Sequence, residues 1–263
     1  MQAEIGIIGG TGLDDPKLFN NIKEVTIDTP YGKPSDVISI GELGDKLVAF
    51  LPRHGKKHTI RPTDIPVQAN IYAFKQLGVK RILAPSTVGS LREEYAPGDI
   101  VFVDQFIDRT TRREQSFYTQ AEGKVCHIGI AEPMCSELRK VAINITKELG
   151  IKTHETGTYV CIEGPRFSTK AESKMYRSWG ADIVGMTLVP ECVLAREAEL
   201  CYTSISTVTD YDVWKDHPVC IDDIVTVMHA NIANVKKIIA ETVKAIPTQQ
   251  SCNCKNALNG AFA

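Results

Sequence analysis

Short runs rich in Ile, Val, Leu and Phe recur at residues 4–8, 37–40, 46–51, 81–85, 99–103, 158–162, 182–184 and 202–208. Bounded by glycine, proline and polar residues, such runs predict strands. Several are apolar without alternation, as expected when both faces of a sheet are buried. Between them, apolar residues repeat at helical spacing and predict helices over 62–77, 132–149, 168–179, 190–199 and 221–245. Three of these stop at Gly78, Gly150 and Gly180, while Pro62 and Ser168 stand at permissible starting positions. Helices alternating with strands define an α/β fold, a central sheet with helices on its faces. No repeat, low-complexity block or Gly/Ser linker interrupts the pattern. Residues 1–247 are therefore expected to form a single domain and the polar residues 248–263 a C-terminal tail.

Composition narrows the function classes. The 263 residues carry 30 basic against 32 acidic side chains, a balance that gives no global attraction to nucleic acid. An anion site must therefore be local. No uncharged apolar run approaches the ~18 residues of a membrane span, and Met1-Gln2-Ala3-Glu4-Ile5 lacks the features of a secretory signal, so a cytoplasmic location is expected. Most of the eight cysteines lie among apolar residues, where a free thiol behaves as a small hydrophobe. Cys252 and Cys254 differ, because they share the polar tail. One intervening residue suits a strained, reducible disulfide or half of a metal site. No second close pair in the sequence completes a tetrahedral zinc set, so no metal is expected.

Candidate chemistry gathers just beyond the strand runs, where ligands collect in open α/β sheets. Gly9-Gly10-Thr11-Gly12 offers backbone N–H groups and a hydroxyl to an anion. It fails the dinucleotide fingerprint, because Asp15 stands at the third glycine position. Arg53 and His54 follow the run at 46–51, and a guanidinium can grip phosphate through two parallel hydrogen bonds. Ser86 and Thr87 follow the run at 81–85, and Thr187 that at 182–184. Convergence of several strand ends on one chemistry points to a single oxyanion site.

Other residues there do not suit an anion. Glu163 implies a ligand hydroxyl or a salt partner such as Arg166, Phe167 is either core or a stacking face, and Met186 packs under the following helix. Asp210 and Asp212 are separated by one residue, which in an extended chain puts both carboxyls on one side. A protonated carboxyl there can deliver a proton to a heterocycle. Calcium would need about six to eight oxygens, which no acidic loop supplies.

Together with Gly9–Gly12, the segments Arg53–Ile60, Gly89–Glu94, Asp104–Thr111, Glu163–Ser168 and Thr209–Asp212 resemble the purine nucleoside phosphorylase superfamily. The resemblance covers about residues 5–237 and is closest to members acting on 5'-methylthioadenosine. It implies a mixed, twisted, partly barrel-like sheet flanked by helices. It also implies attack of inorganic phosphate on 5'-methylthioadenosine, giving adenine and 5-methylthioribose 1-phosphate, or else a broader activity on adenosine, inosine or guanosine.

Carried over by position, Thr11, Arg53, His54, Ser86, Thr87 and Thr187 are expected around phosphate, and Met186 beneath the ribose. Phe167 and Ser168 are expected beside the base, Asp210 as the catalytic acid at N7 and Asp212 at the amino edge. His127, Ile221, Ile224 and Val225 match the 5' pocket, His127 being supplied by a neighbouring subunit of a homotrimer or homohexamer. No cofactor is implied, phosphate being a co-substrate. The tail resembles that of thermophilic archaeal members, which implies a Cys252–Cys254 disulfide and a Cys135–Cys201 bridge.

Overall fold

The computed structural model of the chain describes residues 2–10, 19–118, 123–215 and 221–263, with the side chains of Ile221 and Asp223 outside that description. The strands are β1 (Ile5–Gly9), β2 (Asn20–Val25), β3 (Ile38–Leu43), β4 (Lys46–Pro52), β5 (Arg81–Ser90), β6 (Ile100–Val101), β7 (Gln105–Arg109), β8 (Thr153–His154), β9 (Thr158–Ile162), β10 (Ile183–Gly185) and β11 (Cys201–Asp210). The helices are α1 (Val67–Gln76), α2 (Ser136–Glu148), α3 (Lys170–Ser178), α4 (Leu188–Glu197) and α5 (Ile221–Ala245).

All strands join one mixed sheet, ordered β2-β3-β4-β1-β5-β10-β9-β7, with β11, β6 and β8 branching from β5. The branch arises because β5 is shared. Its first residues pair in parallel with β1, its last two run antiparallel to β10, and β11 accompanies it in parallel along its length. Continuous burial of β1 explains its unbroken apolar sequence, whereas β11, buried over all but its last residue, also carries Thr203, Ser204, Ser206, Thr207 and Thr209 inside. Two large apolar clusters cover the sheet, one including α1 and α4 residues such as Phe74 and Leu194, the other including α2 and α5 residues such as Leu138 and Ile239.

Several boundaries differ from the sequence expectation for local reasons. The segment expected as a helix over 62–77 splits into a 3₁₀ turn at Pro62–Asp64 and α1, because Pro66 forces the preceding Ile65 into extended backbone (φ −60°, ψ 123°). Thr169, not Ser168, caps α3 in a reciprocal capping box with Glu172, which frees the Ser168 side chain. β5 and β11 continue five and two residues past their apolar runs. Ser86 and Thr87 of the extended β5 stand opposite Ser206 and Thr207 of β11 in the ladder, and the Ser86 and Ser206 hydroxyls approach to 3.4 Å. The exposed β2 and the short β7 and β8 carry too little apolar signal to be anticipated.

The C-terminal segment packs onto the rest of the chain. Cys254 and Ala261 are buried, and Phe262 pairs with Cys126 in a β-bridge. The two implied disulfides are not formed: Cys135, Cys201, Cys252 and Cys254 are free thiols. Their sulfurs gather in one cluster in which Cys201 and Cys252 approach to 3.3 Å, a pair neither expected bridge joins and well beyond the ~2.05 Å of an S–S bond.

Candidate active site

The ends of β1, β4, β5, β10 and β11 and one face of α5 enclose a cavity of about 640 Å³. This is the scale of a small-molecule site. Of the residues expected around an oxyanion, Arg53, His54, Ser86, Thr87 and Thr187 all line it; Thr11 lies outside the described residues, although the adjacent Gly10 lines the cavity.

Arg53 is only 2% exposed, and four of its five N–H groups are committed. Nε and Nη2 donate to the two Glu191 oxygens at 2.7 and 2.9 Å, and the remaining bonds go to the carbonyls of Pro85 and Ile8. Burial alone would lower its pKa, yet Glu191 raises it, so the cation is locked on. The guanidinium therefore offers an anion one N–H rather than a bidentate grip. The missed residue is Glu191, buried to 1% and also accepting from the Tyr202 hydroxyl at 2.8 Å. Its signal was a lone acid inside the apolar run Leu188–Ala195, which requires a partner.

His54 is neutral. Burial, opposed by its bond to the Ile60 carbonyl and reinforced by Arg53 and His58, lowers its pKa to about 4. Because a carbonyl only accepts, Nδ1 donates to Ile60 O at 2.8 Å and Nε2 is left as an acceptor. That nitrogen suits the hydroxyl of a hydrogen phosphate. Thr187 precedes α4 without its side chain capping the helix and lines the cavity, its N–H donating to the Tyr159 hydroxyl at 3.4 Å.

Asp210 and Asp212 line the opposite part of the cavity with Phe167 and Ser168. A register shift between Val208 and Asp210 re-aims the end of β11. The chain then turns tightly: Asp210 Oδ1 accepts the Asp212 N–H at 2.7 Å, and Asp212 takes a left-handed φ of 48°. Oδ2 accepts the Thr209 hydroxyl at 2.8 Å. Burial raises the pKa of Asp210, its two hydrogen bonds pull against the rise, and Asp212 adds to it; the net shift is upward. Burial also raises Asp212, opposed chiefly by Ser173. Asp212 Oδ2, Ser168 Oγ and Ser173 Oγ are buried near one another, the two hydroxyls favouring the carboxylate without completing a well-formed hydrogen bond to it. Unsatisfied polar atoms beside a cavity suit the polar edge of a ligand.

Phe167 is 37% exposed, a large aromatic surface at the cavity rather than core. Met186 is held from behind: Arg113 donates to its carbonyl at 2.7 Å and to that of Val189 at 2.6 Å. Gly164, at φ 68°, packs so closely that a Cβ there would lie 2.6 Å from Met186 Sδ. Ile224 and Val225 line the α5 side, as do Met228 and Ile232, which the sequence reading missed on the same helical face. The side chain of Ile221 is outside the described residues. His127 is exposed and does not line its own chain's cavity.

Glu163 has a different partner from the one expected. It does not line the cavity, and Arg166 pairs with Glu172 instead. Burial favours its neutral form, but the Thr111 N–H, the Thr63 hydroxyl and Arg113 outweigh that and lower its pKa to about 2. Its job is to anchor Arg113 beneath Met186.

A mixed sheet whose strand ends bring Arg53, His54, Ser86, Thr87 and Thr187 into one cavity with the carboxyls of Asp210 and Asp212 has the make-up of a nucleoside phosphorylase fold. The chain belongs to the phosphorylase superfamily, whose family model matches residues 4–244. Among curated relatives it is 57% identical over 260 residues to the S-methyl-5'-thioadenosine phosphorylase of Nitrosopumilus maritimus, covering 99% of this chain and 98% of that protein. Among solved structures it is similar to a methylthioadenosine phosphorylase from an antarctic soil metagenomic library, at 42% identity and TM-score 0.94 over 100% of this chain and 93% of that one. It is also similar to a mutant of the adenosine/methylthioadenosine phosphorylase of Schistosoma mansoni in complex with methylthioadenosine, at 39% identity and TM-score 0.92 over 99% of this chain and 97% of that one. No helix among the described residues is long and apolar enough to cross a membrane.

Proposed function

We propose that this chain is a pentosyltransferase that cleaves 5'-methylthioadenosine with inorganic phosphate, releasing adenine and 5-methylthioribose 1-phosphate. The observation that carries the reading is the raised pKa of buried Asp210 in the same cavity as Arg53, His54 and Thr187. Adenine leaves poorly as an anion, so Asp210 donates a proton to N7 and the base departs neutral. The sugar develops oxocarbenium character, and the phosphate stabilises it before bonding to the anomeric carbon. Fixed donors hold the phosphate within reach of that carbon, replacing solvent reorganisation with prearranged geometry. Asp212, Ser168 and Phe167 hold the base, and Ile224 and Val225 receive the methylthio group. The working assembly is a cytoplasmic homotrimer or homohexamer in which His127 completes a neighbour's 5' pocket.

Adenine release is expected to require phosphate. Chromatographic assay of methylthioadenosine with and without phosphate tests this, and an unchanged rate in its absence would mean a hydrolase. The value of kcat/KM for methylthioadenosine is expected to exceed that for inosine by on the order of 10²-fold or more, because a 6-oxopurine leaves buried carboxyl groups mismatched. Adenosine remains a substrate, since an apolar pocket rejects an added hydroxyl by only about 10².

Gly89→Ala tests the packing behind the acid. A Cβ there would lie 2.9 Å from Asp210 Oδ1, an atom already pinned by the Asp212 N–H, and 3.3 Å from Val184 Cγ1. Displacing the carboxyl is expected to lower kcat/KM by on the order of 10²-fold. Steady-state kinetics beside a thermal melt read it, and a normal rate would show that the carboxyl can move without loss.

A further inference from the structure

Cys135, Cys201, Cys252 and Cys254 come from three separate parts of the chain, yet their sulfurs all lie within 4.8 Å of one another. Cys135 caps α2, where its Sγ accepts the Leu138 N–H. Cys201 opens β11. Glu137 delivers the other two, accepting the N–H groups of Ser251 and Cys252, each at 2.8 Å. The second pair that the sequence lacks beside Cys252 and Cys254 is thus assembled by tertiary structure. We propose that these four cysteines form a structural zinc site, with four thiolates around one ion.

The geometry fits. Zn–S bonds of ~2.3 Å place the sulfurs of a regular tetrahedron ~3.8 Å apart. With Cys201 and Cys252 at 3.3 Å and no pair beyond 4.8 Å, shifts of about an ångström or less close the shell. Gathering four sulfurs about one point is what a tetrahedral ion requires, whereas two disulfides require only two separate pairs.

Charge decides between those two outcomes. Gln250 Nε2 donates to Cys201 Sγ at 3.1 Å and to Cys252 Sγ at 3.3 Å, and Arg196 Nη1 lies 3.8 Å from Cys254 Sγ. Arg81 stands opposite Cys201 in the parallel ladder and is 3% exposed. Its Nη2 and the Nε of Arg196 are buried without a hydrogen-bond partner among the described residues. The Glu137 carboxylate, which accepts the N–H groups of Ser251 and Cys252, is the one acidic group brought close to the cluster by these bonds. Zinc with four thiolates carries a charge of −2, which the neighbouring Arg81 and Arg196 guanidinium groups offset; two disulfides are neutral and offer these cations nothing. On coordination the thiols release their protons to solvent.

The ion would tie the C-terminal segment to the starts of α2 and β11. Asp210 ends the same ten-residue strand, ~30 Å away, so the site is structural and separate from the cavity.

The test is elemental analysis of the whole chain, produced with zinc in the medium and purified under reductant without chelator. One zinc per chain is expected. Replacement by cobalt should give the sulfur-to-cobalt charge-transfer and intense visible bands of a tetrahedral four-thiolate site. Cys252→Ser with Cys254→Ser should lose the ion and melt at lower temperature while retaining phosphate-dependent cleavage at moderate temperature. The proposal is overturned by metal-free protein with titratable free thiols, by an intact mass lacking four hydrogens as two disulfides require, or by zinc that survives the double substitution. None of these readouts depends on the proposed activity, so failure here leaves that reading intact.

Discussion

Asp210→Asn is expected to lower kcat by about 10²–10⁴-fold, the usual contribution of general acid catalysis, while leaving phosphate affinity unchanged. The substitution keeps the shape but removes the proton that lets adenine leave neutral. One amide oxygen can still accept from either the Asp212 N–H or the Thr209 hydroxyl, so the turn after β11 is expected to persist. The pH profile separates chemistry from geometry. Because burial raises the Asp210 pKa and the protonated form is the active one, wild-type kcat holds below that raised value and falls as pH climbs through it. The variant should lack this limb. Stability has the matching sign: a carboxyl with a raised folded pKa contributes to stability below its unfolded value of ~3.9, and the contribution is lost as pH rises through the folded value. The amide does not ionise, so at pH 8 the variant is expected to be no less resistant to denaturant than wild type. A wild-type turnover rate would remove Asp210 from the chemistry.

What the sequence revealed and what it hid follow from where each residue's partners lie. β1, β4 and β9 were legible because double-sided burial leaves an apolar run with no other explanation. The polar half of β5 read as a loop, since Ser86 and Thr87 become acceptable inside a sheet only opposite Ser206 and Thr207 of β11. β5 and β11 carry Asp210 and several of the residues expected around phosphate, so those residues were identifiable while the full length of the strands holding them was not. Glu163 and Arg166 stand close in sequence and invited pairing, yet the carboxylate is served by Thr63, Thr111 and Arg113 from distant segments. The cysteine cluster shows the same limit. Local spacing displays Cys252 and Cys254, but nothing short of the β5–β11 ladder and the α2 cap brings Cys201 and Cys135 to them.

Glu191→Ala is expected to destabilise the fold by roughly 3–5 kcal/mol, the cost of leaving a buried charge without its partner. Arg53 cannot escape by deprotonating, nor reach water at 2% exposure, and the Tyr202 hydroxyl loses its acceptor in the same step. For a chain of this size the loss corresponds to a melting shift of roughly 10 °C, read by calorimetry or a denaturant titration. The decisive comparison replaces all three groups together, Arg53→Met with Glu191→Leu and Tyr202→Phe. Packed apolar substitutes for a buried ion pair are commonly neutral or stabilising, so most of the lost stability should return. Activity should not. Arg53 holds β4 against Pro85 of β5 and Ile8 of β1 and keeps a permanent positive charge beneath the oxyanion cup. With His54 neutral, that charge is the principal fixed cation among the cavity residues expected to hold phosphate, and the triple variant should need at least about tenfold more phosphate for half-maximal rate. Recovery of both stability and phosphate affinity would mean that the pair is structural only and that the hydroxyls and backbone N–H groups bind the anion alone.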